Sequence, residues 1–577
     1  MKKLLISLMP ILFLLGSCED IFERTPLDKI SDSDVWQQEA LMRAYLTDIY
    51  ARLPWQSYDM NDRYTDFGTE RFGNFTSITQ GTVSRTSESM AYWDYVIIRD
   101  MNVFLEKMVD SPVSEQVKKQ MEGEVRTMRA WVYFEKQKRY GGVPLVDVVL
   151  DPFAEIDEKY SKRTSEEAIA DFIDSEFTTA INLLKDDHTS LGQINKWVAY
   201  AFKARANLWA ASIAKYSTVQ IDGIVGIPPG RADEFYRKAA DAADAIIKSG
   251  KYSLFNKIPD RTENYYRLFF EDGDNPEVIF ARLFDGVNIG HAYTQSNVAT
   301  RYSSGQGSSL HPTLELCHFY ENIDGTTDQP EIGPDHLYEN GLELFSKKDP
   351  RLRATVFFQG EEFRGDIIRT YDGLDPSPVP DPGSIIADWT YSYQGFPSVG
   401  EDSRLQQSHN RTQSGFLTRK YIRDFGDIFE SAIDVISWKY FRLAEMYLTI
   451  AEAEFELGNM PQAVAALNMT RERAGISLVD ETTITLDHIR KERSVEFAWE
   501  GFRWWDLRRW RTAESILQRD IPVQGLRIIL HYETGKFYFL PLDAESYTRI
   551  FKPEHYYNPI TEQRIENNHN LVENPLY

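Results

Sequence analysis

The chain has 577 residues, with 64 Lys and Arg against 88 Asp and Glu, a formal net charge of -24. That charge repels phosphate backbones, and the one dense basic stretch, Arg503 to Arg511, is mixed with acidic and aromatic side chains, which excludes nucleic acid as a partner. Two cysteines, Cys18 and Cys317, leave no disulfide framework or thiolate metal site, so 42 % apolar and 26 % charged content describe a folded protein held by core burial.

At the N-terminus, Lys2 and Lys3 precede an apolar stretch from Leu4 to Leu15, and Gly16-Ser17-Cys18 closes it. The run is too short to span a bilayer and has the layout of a processing segment. It resembles a bacterial lipoprotein signal, and Glu19-Asp20 resembles the surface-export signal of lipoproteins in the Bacteroidota. The resemblance implies a signal peptide over residues 1–17, lipid on Cys18, a tether over 18–34 and an outer-membrane, cell-surface location. No second apolar run approaches membrane-spanning length.

From Asp34 to about Leu53 the apolar positions fall near helical spacing, after a capping region at Ser31 to Asp34. Residues 54–90 lose that period and are rich in Gly, Ser, Thr and aromatics, which predicts loop and leaves Trp55, Tyr58, Tyr64, Phe67, Phe72 and Phe75 hard to bury. Helical segments are then expected near 92–109, 115–139, 165–185, 195–215 and 233–249. Small residues crowd two of them, with Ala199, Ala201, Ala204, Ala206 and Ala210 in one and Ala239, Ala240, Ala242, Ala243 and Ala245 in the next, which favours close helix pairing. A third pair, Arg442 to Leu457 and Met460 to Ala474 around Gly458-Asn459, resembles a tetratricopeptide repeat. The intervals between pairs are irregular, so the expectation is degenerate repeats separated by long insertions. The largest insertion, about 255–435, is rich in Gly, Pro, Asp, Ser and Tyr, with short strands expected within it.

The segment Ile489 to Trp510, with Glu492-Arg493, Glu496-Phe497, Glu500-Gly501, Arg503-Trp504 and Asp506-Leu507-Arg508-Arg509-Trp510, resembles the signature of the SusD/RagB family. Further matches follow in family order, among them Trp93, Tyr95, Ile98 and Asn102; Gly123-Glu124-Val125-Arg126; Tyr140-Gly141-Gly142-Val143-Pro144-Leu145; Asp349-Pro350-Arg351-Leu352; and Asn574-Pro575-Leu576-Tyr577. They cover essentially the whole chain after the signal. The resemblance implies a mostly α SusD-like fold, with repeat-like helical pairs as scaffold, long irregular insertions and a few short strands. It divides the chain into an N-terminal helical half at 35–260 and a C-terminal half at 261–577, with the loop-rich insertion at 261–435 and helical scaffold at 436–510.

The charges of the signature lie at three- and four-residue spacings that allow ion pairs along a helix, so the block reads as scaffold. Paired carboxylates for glycoside hydrolysis are disfavoured there, because arginine neighbours hold them ionised. No His-Glu-x-x-His, Gly-x-Ser-x-Gly or phosphate-binding loop is present, and no catalytic residue is assigned. Glu271-Asp272-Gly273-Asp274-Asn275 reads as a solvated turn rather than a calcium loop, so no cofactor or metal is expected.

The resemblance implies a surface lipoprotein that captures glycan and passes it to a SusC-like TonB-dependent outer-membrane transporter. The alternative keeps the fold and the transporter but makes the cargo an oligopeptide, as in RagB. Aromatic rings stack on the C–H faces of sugars, and loops carry binding residues, so the candidate ligand contacts are the loop-borne Trp389, Tyr391 and Tyr393, then Tyr58, Asp59 and Asn61, then Tyr302 and Arg404. Trp93, Trp499, Trp504, Trp505 and Trp510, lying in the family framework, are expected to be structural.

Overall fold

A computed structural model of the chain describes residues 32–55, 61–73, 75–187, 190–407, 410–426 and 434–577. The expected signal peptide, Cys18 and most of the tether lie outside the described residues, as do Tyr58 and Asp59.

Ten helices carry the argument: α1 (Glu39–Arg52), α2 (Val96–Lys107), α3 (Glu115–Tyr140), α4 (Glu166–Leu183), α5 (Lys196–Tyr216), α6 (Ala232–Lys248), α7 (Leu443–Glu456), α8 (Met460–Ala474), α9 (Leu486–Glu496) and α10 (Arg503–Arg509). Their ends follow local chemistry. The Ser165 hydroxyl accepts from the Ala168 N–H at the start of α4, and Asn195 Oδ1 accepts from the N–H groups of Trp197 and Val198 at the start of α5. Gly475, at φ 75°, ends α8 in the left-handed conformation that a side chain would strain.

The helices stack in sequence, α3 on α4, α4 on α5 and α5 on α6. The chain then leaves the stack, and when it returns α7 seats directly on α6 and pairs with α8. The alanines read from the sequence form these seams: Ala199, Ala201, Ala204, Ala206 and Ala210 of α5 and Ala239, Ala240, Ala242 and Ala243 of α6 are buried, whereas Ala245 is only partly so. One helical stack therefore runs through both expected halves of the chain.

The long insertion is clamped where it leaves and rejoins the stack. Strand β1 (Val278–Arg282) pairs antiparallel with a strand just before α7, and β2 (Gly373–Asp375) lies farther out. The partner of β1 is β3 (Trp438–Arg442), with Trp438 opposite Arg282 and Arg442 opposite Val278. A C-terminal hairpin, β4 (Gln524–His531) and β5 (Lys536–Asp543), adds β2 as a parallel third strand. Phe280 of β1 and Tyr440 of β3 join Trp131 of α3 and Phe202 of α5 in one aromatic core, with Trp131 and Phe202 centroids 4.7 Å apart. A second apolar core joins the insertion, through Phe269, Tyr293 and Phe358, to Phe67, Trp499 and the β4–β5 hairpin.

Two local expectations are corrected. The signature block is not one helix: α9 ends at Glu496, a turn with Trp499 at φ 61° intervenes, and α10 begins at Arg503. Its charges pair mainly with distant residues rather than along the helix. Arg442 donates to Glu500 at 2.9 Å and to Glu496, while Arg503 donates to Asp66 at 2.8 Å. Arg509 with Asp506 is a pair at short spacing within the block. The loop at 54–90 also hides more than expected, since Phe67 is fully buried beside the strand Gly68–Glu70, which pairs with Leu310–Pro312. Phe72 and Phe75 remain exposed, at 68 % and 70 %.

Candidate functional site

Trp389, Tyr391 and Tyr393 lie together on one surface projection of the insertion. A small antiparallel hairpin joins Ser392–Tyr393 to Phe396–Pro397, turning through Gln394 and Gly395, both at positive φ. The Asp388 carboxylate anchors its approach by accepting from the Thr390 N–H at 2.9 Å and the Thr390 hydroxyl at 2.6 Å, which holds that carboxyl below its usual range. At the far side the Ser398 N–H donates to the Tyr391 carbonyl at 3.0 Å.

Trp389 and Tyr391 are each 46 % exposed and Phe396 is 53 % exposed. The rings of Tyr393 and Phe396 both meet Tyr532 edge to face, at 5.0 and 5.5 Å, and the Tyr532 hydroxyl donates to Gln394 Oε1 at 2.9 Å. Tyr532 directly follows β4, so the hairpin is braced against the three-stranded sheet. The arrangement is a platform of aromatic faces turned to solvent on a supported loop, suited to shallow stacking rather than to deep enclosure.

Tyr302 and Arg404 stand beside the same stretch of chain but are more constrained. Tyr302 packs edge to face on Phe363 at 5.3 Å, with the Arg301 guanidinium 4.5 Å from its ring. Arg301 in turn donates to Asp402 at 2.9 Å. Arg404 donates through Nε to the buried Asp372 at 2.7 Å, and Ser403 donates to the same carboxylate at 2.6 Å. Burial pushes the Asp372 carboxyl up while Arg404 and Ser403 pull it back, leaving it above its ordinary range. Arg404 thus has a structural partner in addition to any role toward a ligand.

Asn61 is not near the hairpin residues in the chain's architecture. It lines a cavity of about 300 Å³ among α3, α5 and α10, together with Trp55, Trp209, Tyr440 and Trp505. Of the framework tryptophans, Trp499, Trp504 and Trp510 are buried as expected, whereas Trp505 is partly exposed into this cavity and Trp93 is partly exposed beneath the Arg564 guanidinium, 4.8 Å from its ring.

Four aromatic residues that the structure exposes or places at the hairpin are not among the ligand contacts chosen from the sequence, although Phe72 and Phe75 are read there as hard to bury. Phe396 and Tyr532 complete the hairpin cluster, and Phe72 and Phe75 are exposed elsewhere, the former under Arg71 and the latter against Tyr547. Phe396 was within the aromatic-rich stretch of the insertion, but Tyr532 lies far along the chain and carries no local signal. The acidic turn at Glu271 to Asn275 is engaged by lysines: Glu271 and Asp274 accept from Lys257 at 2.9 and 3.0 Å, and Asp272 accepts from Lys439. Among the described residues no acidic, histidine or cysteine cluster suits a metal ion, and no helix is long and apolar enough to cross a membrane.

Comparison with known proteins agrees with this architecture. The family model described as the SusD family matches residues 276–577, and one described as starch-binding, associating with the outer membrane, matches residues 26–208. Similar curated proteins include a SusD-like protein of Bacteroides ovatus, 24 % identical over 97 % of this chain and 92 % of its own length. Another is SusD-like protein P38 of Formosa agariphila, 23 % identical over 89 % and 91 %. Among solved structures, a SusD-like protein of Bacteroides fragilis superposes with a TM-score of 0.74 at 25 % identity, covering 96 % of this chain and all of that one. A SusD-like carbohydrate-binding protein of the same species gives 0.68 at 23 %, over 93 % of this chain and all of its own. A laminarin-binding SusD-like protein gives 0.55 at 19 % over 94 % of this chain and all of its own. With one family model spanning more than half its length and the same fold in the solved relatives, this chain belongs to the SusD family.

Proposed function

We propose that this chain is a cell-surface lipoprotein that captures an oligo- or polysaccharide on the aromatic hairpin and passes it to a SusC-like TonB-dependent transporter in the outer membrane, without cleaving it. The observation that carries the reading is the run of exposed rings Trp389, Tyr391 and Phe396 on a hairpin that the half-buried Tyr393 and Tyr532 brace against the β4–β5 sheet. Such a surface supports weak, reversible capture, in which stacking on a few rings is offset by the cost of ordering the ligand, and weak capture suits delivery. The starch-binding, outer-membrane description of the matching family model and the carbohydrate and laminarin descriptions of the relatives support the same ligand class. Lipid attachment at Cys18 would supply the anchor, with the acidic body held outside the membrane.

The test is affinity electrophoresis and calorimetric titration against a panel of polysaccharides and their oligosaccharides, with a second panel of peptides. Saturable binding of one glycan with no product released over time is the expected result. Binding of peptides alone would transfer the cargo to the oligopeptide alternative, and time-dependent release of shorter sugars would make the protein a hydrolase.

A further inference from the structure

The cavity beside Trp505 lies in the helical scaffold and shares no lining residue with the hairpin. Its charge is opposite to that of the chain. Five cationic side chains line it, Lys138, Arg139, Arg205, Arg493 and Arg509, and the four carboxylates that pair with them, Glu135, Glu445, Glu452 and Asp506, leave one positive charge in excess, in a protein whose net charge is -24. Two of the arginines are fixed by carboxylates that do not line the cavity. Glu445 accepts from Arg205 at 2.7 and 2.6 Å, and Glu452 accepts from Arg509 at 2.7 Å, so both guanidinium groups are oriented before any ligand arrives.

Two lining residues also carry buried donors with no acceptor in the protein, Arg493 Nη1 and Trp209 Nε1. A buried donor left unpaired destabilises the fold, and an acceptor brought by a ligand would relieve that cost. The remaining walls are aromatic. Trp55, Tyr440 and Trp505 present ring surface, and the Lys138 ammonium stands 4.4 Å from the Trp505 ring. At about 300 Å³ the space is at the lower end of small-ligand pockets.

We infer that this cavity is a second binding pocket, separate from the hairpin, for a saccharide unit bearing a carboxylate or sulfate group. The inference rests on the glycan reading above and gives it a charge preference. The anionic group meets the arginine and lysine cluster, and the sugar ring lies against the tryptophans.

The experiment is titration of the full chain, followed by tryptophan fluorescence and calorimetry, with glucuronate, a monosaccharide sulfate and glucose, at low and high salt. Comparing the two anions separates carboxylate from sulfate recognition. Either anion is expected to bind at least about tenfold tighter than glucose at low salt and to weaken as salt rises. Lys138→Met removes one cation while Arg139 still pairs with Glu135 at 2.6 Å, and should lower anion affinity about tenfold with glucose unaffected. Burial brings the Lys138 ammonium down to about 8, with Glu135, Arg139 and Arg205 as the charged groups facing it, so anion binding should also fall as pH rises through that value. Trp505→Leu, at a partly exposed side chain, reads the same pocket should Lys138→Met fail to fold.

Glucose bound as tightly as both anions, or anion affinity unchanged in the folded variants, overturns the inference. A neutral polysaccharide bound through Trp389 with no preference for anions also overturns it, but leaves the glycan reading standing. A wild-type chain that binds no saccharide of either kind removes both.

Discussion

Arg351 and Glu492, 141 positions apart in the chain, are joined by two hydrogen bonds of 2.6 and 3.1 Å, with each side chain only 1 % exposed. Arg351 also donates to Asp349 and Glu496, and Arg471 approaches Glu492 from the other side. The pair therefore ties the insertion, through the short helix Pro350–Thr355, to α9 of the scaffold. Burial raises the Glu492 carboxyl, but Arg351 and Arg471 outweigh it and hold it below its ordinary range.

Breaking one side of this buried cluster leaves an uncompensated charge, whereas in the intact cluster the cost of desolvation offsets part of the attraction. Arg351→Met is expected to destabilise the protein by about 3–5 kcal/mol, measured by denaturant unfolding. Retention of full stability would show that the cluster relaxes around the missing guanidinium.

Gly142 packs so closely that a β-carbon there would stand 2.0 Å from the Thr164 carbonyl oxygen and 2.7 Å from that of Ile224. Both obstacles are backbone, and the Gly142 N–H already donates to Ile224 at 2.7 Å. Gly142→Ala should therefore cost about 1–3 kcal/mol or more through forced backbone shifts. A thermal unfolding midpoint equal to that of the wild type would refute this.

The helical stack was largely legible in the sequence because its cues are local. The boundaries Met460 and Ala474 are those observed, set between Gly458-Asn459 and the left-handed Gly475. The signature block misled in the same terms: its charges have helical spacing, but their partners Asp66, Arg351 and Arg442 come from remote segments, and no local period encodes that. The site was legible in type rather than in membership. Trp389, Tyr391 and Tyr393 announce an aromatic loop, but Tyr532 reaches them only through the β4–β5 hairpin. Asn61, grouped by sequence proximity with Tyr58 and Asp59, proves to line a cavity whose other walls come from its own loop, from Tyr440 of β3 and from α3, α5 and α10.

Asp62, next to Asn61, is buried, and its Oδ2 accepts from the Gly501 N–H at 2.7 Å. Burial raises its carboxyl to about 7, with the Gly501 N–H and Lys420 opposing that rise only in part. A carboxyl raised on folding binds its proton more tightly in the native state, so its contribution favours folding at low pH and is lost as pH climbs from about 4 to 7. Asp62→Asn keeps an acceptor for Gly501 and removes that proton. Stability of the variant, followed by denaturant unfolding across this interval, should decline less with rising pH than that of the wild type. Parallel curves would rule out Asp62 as a source of the slope.

The hairpin separates ligand binding from folding. Trp389 is 46 % exposed and its removal opens no cavity in either apolar core, so Trp389→Ala should shift stability by no more than about 0.5 kcal/mol. On the capture reading, loss of one stacking face should weaken the glycan by about 1–3 kcal/mol, roughly a fivefold to 150-fold rise in Kd. Tyr532→Ala acts differently, because Tyr532 touches Tyr393 and Phe396 edge to face and holds Gln394 through its hydroxyl. Its loss frees the hairpin, so affinity should fall through disorder of rings that remain present, and Tyr532→Phe, which keeps the ring and loses only the hydroxyl, should recover most of it. Titration of the three variants with the bound polysaccharide, alongside their melting temperatures, distinguishes the cases. A Trp389→Ala protein that melts much earlier but binds as tightly as the wild type would make the tryptophan a structural residue and move the glycan site off this hairpin.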